Sequence, residues 1–201
     1  MGSKNLKAIA ARGTMDIKIA HPKEALEYNK RFIDQITSAK VNQTQGTLGT
    51  PFIWGATNSW GGVRCRNFQY NQELYCDEIE PEAIDEVCTE TVGPYHMTGC
   101  FGCQVHCRAQ YKIPTGPYAG VYDEGPEYTS QGAFCGEPDC RSMETLLVGN
   151  HLVDQWGMDN LETGSLISWA MELYELGILT KKETDGLELT FSNDEALLEM
   201  T

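Results

Sequence analysis

The sequence predicts a mainly α-helical domain with a short N-terminal β-strand and an irregular loop that carries cysteines. Three observations lead there. Apolar residues recur at spacings of three and four over 141–156 and 160–176, the period of an amphipathic helix. A third such stretch covers 21–40. The segment "GCFGCQVHC" at 99–107 is interrupted by glycines and follows neither a helical nor a strand period.

In chain order, "LKAIAARG" (6–13) reads as a short strand ended by Gly13. In the 21–40 helix, Pro22 suits the first helical position. Ala25, Tyr28, Phe32 and Ile36 form its apolar stripe. Residues 41–62, rich in Gly, Thr, Asn and Gln, read as loop. "PEAIDEVCTETV" (81–92) reads as a helix with acidic residues near its start, where the helix dipole favours them. "KIPTGPYAGVYDEGPEY" (112–128), broken by prolines and glycines, must be an extended connection or an irregular hairpin.

Met143, Leu146, Leu147, Val153 and Trp156 mark the face of the 141–156 helix. Leu166, Trp169, Ala170, Leu173 and Leu176 mark that of the 160–176 helix, and Gly177 stops it. Trp156 and Trp169 are expected in the core. Between the two helices, "DQWGMD" (154–159) supplies a stop at Gly157 and a capping pair, Asp159 with Glu162. "NDEALLEMT" (193–201) begins another helix. An unpaired strand at one end and an unfinished helix at the other give the expectation of one domain of something larger.

The 201 residues carry a net charge of −14. Nucleic acid and anionic membrane surfaces need basic patches, so neither is expected as a partner. No apolar run approaches the length that spans a bilayer, and the N-terminus lacks a secretory core. The expected location is cytoplasmic. Of the eight cysteines, five are scattered. They read as free thiols behaving as small hydrophobes rather than as a disulfide scaffold.

Cys100, Cys103 and Cys107 follow the spacing C-x2-C-x3-C. Three thiolates so close in sequence can hold three corners of a [4Fe–4S] cluster. They can equally hold zinc, with His96 or His106 as the fourth ligand. Three unliganded thiols are the weakest of the readings. For the cluster, Cys135 and Cys140 are the local candidates for a fourth ligand. Taken singly, Asp154 reads as a solvated helix residue, Asp159 as a cap and Glu127 as a surface carboxylate. His96, His106 and His151 read as hydrogen-bonded histidines without a chemical role.

Five stretches together carry a family resemblance: "MGSKNLKAIAARGT" (1–14), "RNFQ" (66–69), "GCFGCQVHC", "EGPEYTSQGAFCG" (124–136) and "DQWGMDNLETG" (154–164). In order and rough spacing the chain resembles the middle portion of tungsten-containing aldehyde:ferredoxin oxidoreductases. The resemblance implies that 1–15 close an N-terminal β domain and that 16–201 form the helical second domain, with a third domain beyond. It implies tungsten, or molybdenum, held by two pterin dithiolenes beside a [4Fe–4S] cluster. It implies oxidation of aldehydes to acids, with ferredoxin as acceptor. On the matched motifs, Cys100, Cys103 and Cys107 are cluster ligands, and the fourth ligand lies beyond Thr201. Asp154, Gly157, Met158 and Asp159 contact pterin, and Glu127 stands near the metal. Met158 departs from the family's Leu, a swap of similar volume. Expected partners are ferredoxin, an aldehyde, the remaining domains of the same enzyme and, as an option, a second copy in a homodimer. The alternatives are a related benzoyl-CoA reductase-type subunit and a small iron–sulfur or zinc module without catalysis of its own.

Overall fold

The computed structural model describes residues 2–88 and 96–201. The first long helix, α1 (Pro22–Ser38), starts at the proline as the sequence predicts. A second helix, α2 (Lys40–Leu48), follows after Ala39 alone. With α3 (Trp54–Ser59) it occupies part of the stretch expected to be loop. The polar composition of α2 hides it from periodicity, but its side chains have local work. Asn42 Nδ2 donates to the Ile36 carbonyl and Gln43 Nε2 to that of Thr37, both at 2.9 Å. They bond carbonyls in the last turn of α1, where the helix runs out of its own amides.

The helix expected over 81–92 is present as α4 (Pro81–Cys88), and 89–92 lie outside the described residues. Three antiparallel strands follow: β1 (His96–Thr98), β2 (Arg108–Lys112) and β3 (Tyr122–Glu124), in that spatial order. The cysteine segment is the connection between β1 and β2, whose ladder pairs Thr98 with Arg108 at its mouth. The segment with an expected irregular hairpin is the β2–β3 connection, with Lys112 opposite Tyr122. No strand forms at 6–13, where every residue is exposed. Strand pairing requires a neighbour to take up its backbone groups, and no strand among the described residues lies alongside.

After β3 comes a short helix, α5 (Tyr128–Gln131), that runs on into a buried π turn, Gly132–Gly136. Then follow α6 (Met143–Trp156), α7 (Asn160–Glu175) and α8 (Asp194–Met200). The core gathers Trp54, Tyr111, Phe134, Leu146, Leu147 and Met171 around the π turn. Cys135 and Cys140 belong to it as small hydrophobes. Two glycines set the spacing. A Cβ on Gly149 of α6 would stand 2.5 Å from the Phe134 ring. One on Gly164 of α7 would stand 2.3 Å from the Ala133 carbonyl oxygen.

That close approach decides the face of α7. Its buried residues are Gly164, Ile167, Ser168 and Met171. Of the expected stripe, Ala170 packs against the core and Leu173 is half-buried, but Leu166, Trp169 and Leu176 are exposed. Trp156, expected in the core with Trp169, is 69% exposed. Small residues allow the helix to contact backbone, and that contact outweighs the burial of its larger apolar side chains. Among the described residues, no helix is long and apolar enough to cross a membrane.

Candidate functional site

The loop 99–107 is closed at its base by β1 and β2 and shaped by its own backbone. The Cys103 amide donates to the Cys100 carbonyl at 2.9 Å, making a turn that Gly102 completes at φ 76°. The Val105 amide donates to Cys103 Sγ at 3.4 Å. The loop rests on α2. A Cβ on Gly46 would meet the Val105 carbonyl oxygen at 2.5 Å, so only glycine lets the two backbones meet there. The His106 ring folds over Gly99. Cys100 is exposed, while Cys103 and Cys107 are half-buried. All seven cysteines with described side chains are free thiols.

Glu127 caps the N-terminus of α5 in a box with Ser130, to whose Oγ its amide donates at 3.4 Å. The Thr50 hydroxyl donates a short hydrogen bond to Glu127 Oε2 and accepts one from the Tyr128 amide at 2.8 Å. Thr50 therefore fixes the carboxylate from 77 residues away. Burial, and then the charge of Glu127, push the Cys107 thiol up from its ordinary value. The loop cysteine and the carboxylate are electrostatic neighbours.

Asp154 lies in the last turn of α6. Partial burial and then the Asp123 carboxylate push its carboxyl up, although the residue keeps solvent contact. Asp123 in turn lies 2.7 Å from His151 Nδ1. Glu127 and Asp154 line one cavity of about 310 Å3, together with Arg108, Glu124 and Asn150. Arg108 pairs with Glu124 at 2.9 Å. Asn150 joins the parts: its Nδ2 donates to the Glu124 carbonyl at 2.9 Å and reaches Asp154 Oδ2 at 3.5 Å. Its Oδ1 accepts from Ser130 Oγ at 3.1 Å. A buried amide bonded on every side is rigid, because each lost bond would leave a polar group unpaired.

The rest of "DQWGMD" is explained by helix ends. Gly157 takes the left-handed conformation (φ 65°, ψ 37°), and the Met158 amide returns to the Val153 carbonyl at 2.9 Å. Asp159 Oδ1 accepts from the Glu162 amide at 2.9 Å. Gly157, with Asp154, borders a second hollow shared with Asn5–Lys7. Met158 and Asp159 line neither hollow. Thus Glu127 shares a cavity with Asp154 and is an electrostatic neighbour of Cys107.

Three residues of this neighbourhood escape sequence reasoning: Thr50, Arg108 and Asn150. Thr50 and Arg108 carry no local signal. Asn150 carries one, a polar side chain inside an apolar helical run.

The donor set bears on what the loop can hold. Among the described residues, the one trio whose ligand atoms all lie within 4.8 Å is Cys65, Glu73 and Asp139. The loop thiols are spread more widely. Thiolates sharing one zinc would stand about 3.8 Å apart, given a Zn–S bond of about 2.3 Å. Three separated thiols on one glycine-bearing loop fit a polynuclear cluster, which offers each its own iron.

Residues 27–201 match the family model described as aldehyde ferredoxin oxidoreductase, domains 2 and 3. The chain is 31% identical to a tungsten-containing aldehyde ferredoxin oxidoreductase of Pyrococcus horikoshii, over 98% of this chain and 32% of that protein. It is 32% identical to the protein of that name from Thermococcus kodakarensis, over 98% of this chain and 31% of that protein. It is 29% identical to an aliphatic sulfonate oxidoreductase, WOR-like subunit, of Pyrococcus furiosus, over 100% of this chain and 31% of that protein. The chain spans about a third of the length of the curated relatives it matches. With the family model covering most of its length and the helical architecture in agreement, this chain belongs to the aldehyde ferredoxin oxidoreductase family.

Proposed function

We propose that this chain supplies the cluster loop and one pterin-facing wall of a tungsten–pterin oxidoreductase that converts aldehydes to carboxylic acids and passes two electrons to ferredoxin. In this reading 1–15 close a first domain and 16–201 form the helical second. The observation that carries it is the cavity shared by Glu127 and Asp154, with Glu127 also an electrostatic neighbour of Cys107. A metal–pterin centre, when bound, supplies the two-electron redox step that no side chain here can perform.

Each residue then has a task its chemistry suits. Cys100, Cys103 and Cys107, as thiolates, hold a [4Fe–4S] cluster. Asp154 accepts N–H donors of the pterin edge, with Gly157 allowing close approach of backbone. Met158 and Asp159 complete the turn that aims Asp154. Glu127 takes a proton on its carboxylate as water adds to the aldehyde carbon. Thr50 holds that carboxylate in place, and the Asn150 network keeps Asp154 and the α5 cap in register. The matches favour this over a benzoyl-CoA reductase-type subunit or a small zinc module. The sulfonate-named relative supports one second reading, an aliphatic sulfonate as substrate.

The test uses the full-length protein purified without oxygen. Asp154→Ala removes an acceptor for buried donors, each costing about 1–3 kcal/mol when unpaired. Tungsten per polypeptide should fall, while the melting of the cofactor-free protein stays unchanged, since Ala is the better helix former. Unchanged tungsten with a lowered cofactor-free melting temperature would show Asp154 to be structural. Glu127→Gln should lower aldehyde turnover by about a hundredfold or more with tungsten and iron retained. Turnover of an alkanesulfonate but of no aldehyde would decide for the second reading.

A further inference from the structure

A second assembly of ligands lies apart from the cavity of Glu127 and Asp154. Cys65 bridges to Tyr70 through a pair of backbone hydrogen bonds, each 3.1 Å. The bridge folds Arg66–Phe68 into a tight turn, all three at positive φ. The Arg66 and Asn67 amides then donate to the Gly136 and Glu137 carbonyls at 3.2 and 3.0 Å. That docking brings Cys65 to Asp139 across 74 residues of sequence. Glu73 arrives from beyond the same turn.

Cys65 Sγ and one oxygen of each carboxylate all lie within 4.8 Å of one another. The residues are 4%, 5% and 8% exposed, so the trio is interior. Further hydrogen bonds aim the carboxylates. Glu73 Oε1 accepts from the Tyr75 amide at 3.2 Å, which directs Oε2 at Cys65 Sγ, 3.2 Å away. Asp139 Oδ2 accepts from Ser192 Oγ at 2.9 Å. Such outer bonds hold ligands in place around metals. Arg66 Nη1 stands 3.6 Å from Asp139, but the same guanidinium is committed to Glu175 at 2.7 Å. Two carboxylates buried this close repel, and one shared arginine does not neutralise both. A cavity of about 510 Å3 opens onto the trio, lined also by Tyr70, Gln72 and Arg141.

We propose that Cys65, Glu73 and Asp139 bind a divalent cation of the zinc class, with a fourth coordination position open to this cavity. The donor set selects the class. A thiolate disfavours magnesium and calcium, and two carboxylates disfavour soft monovalent copper. Three protein ligands with one open position is the arrangement zinc adopts where it binds water or substrate. In a tetrahedral zinc site, sulfur and oxygen ligands stand about 3.5 Å apart, from bonds of about 2.3 and 2.0–2.2 Å. The Cys65–Glu73 contact is already near that separation. The binding step balances simply. The Cys65 thiol proton leaves to solvent, one thiolate and two carboxylates take up one dication, and the complex carries one negative charge beside Arg66. The inference does not rest on the proposed function.

The test must separate this site from the loop thiols. The full-length chain is made with Cys100, Cys103 and Cys107 all changed to Ser, then loaded without oxygen with zinc or cobalt(II). The expected result is one metal per chain and, for cobalt, a thiolate charge-transfer band. Cys65→Ser in that background should abolish the band. Glu73→Gln and Asp139→Asn should each weaken binding by at least tenfold, with circular dichroism unchanged. Zinc should raise the melting temperature of the triple variant but not of its Glu73→Gln form, a readout that holds even if Cys65→Ser folds poorly. No stoichiometric metal in the triple variant, or a cobalt–thiolate band that survives Cys65→Ser, would overturn the proposal. Cys65 and Glu73 would then be a hydrogen-bonded thiol–carboxylate pair, without metal.

Discussion

The thiols of the 99–107 loop and the thiol of Cys65 sit in opposite surroundings. The loop thiols are adjacent in sequence, exposed or half-buried, and spread in space. Cys65 is buried, far in sequence from Asp139, and drawn tightly to two carboxylates. Proximity along the chain and proximity in space are therefore different signals. In the proposed function, the loop keeps its thiols apart for a cluster that brings its own framework. A packed interior brings ligands together before any guest arrives.

The widest break in this comparison should come from Cys100→Ser. In the full-length protein it should remove nearly all cluster iron and the broad visible absorption. Without the cluster, the exposed position should change stability by less than about 0.5 kcal/mol. Iron analysis and thermal melting read the two outcomes, and retained iron would remove Cys100 from the ligand set.

Gly164→Val attacks the other side. The new Cβ would enter the space of the Ala133 carbonyl. Displacing α7 should cost about 3 kcal/mol or more, since backbone cannot move aside as a side chain can. It should also loosen Arg66, which α7 holds through Glu175. Cobalt binding at Cys65 should weaken although no ligand has changed. Denaturant melts and cobalt titration check this, and unchanged binding would uncouple α7 from the buried trio.

Glu137 sharpens the comparison with pH. It is buried in the segment that carries Asp139, with Arg64 Nη1 at 2.7 Å from Oε1 and Ser165 Oγ at 2.7 Å from Oε2. Burial pushes its carboxyl up, against the pull of Ser165 and Arg64. The folded state therefore holds this proton to higher pH than the unfolded state. Its contribution to stability falls as pH rises from about 4 through the raised value. Glu137→Gln should flatten that fall in denaturation midpoints. A variant with an unchanged slope would show that the ion pair offsets burial.

Trp169→Ser should have the smallest effect, within about 0.5 kcal/mol in the isolated chain. Its ring is 52% exposed on the outer face of α7. A loss of several kcal/mol in melting would mean that this face is covered.

What the sequence alone determined was governed by near neighbours along the chain. Pro22 started α1, Gly157 ended α6, and Asp159 started α7 by accepting from Glu162, because capping chemistry acts across three or four residues. The cysteine loop was legible because its three cysteines share nine residues. The rest depended on surfaces that meet only after folding. Polar α2 was hidden because its amides serve carbonyls of another helix. Part of the buried face of α7 was hidden because Gly164, without a side chain, makes the closest contact. Thr50 beneath Glu127, and Cys65 beside Glu73 and Asp139, were set by tertiary packing. A residue's chemistry is written in the sequence, but its partners are chosen by which surfaces fit closely enough to exclude water.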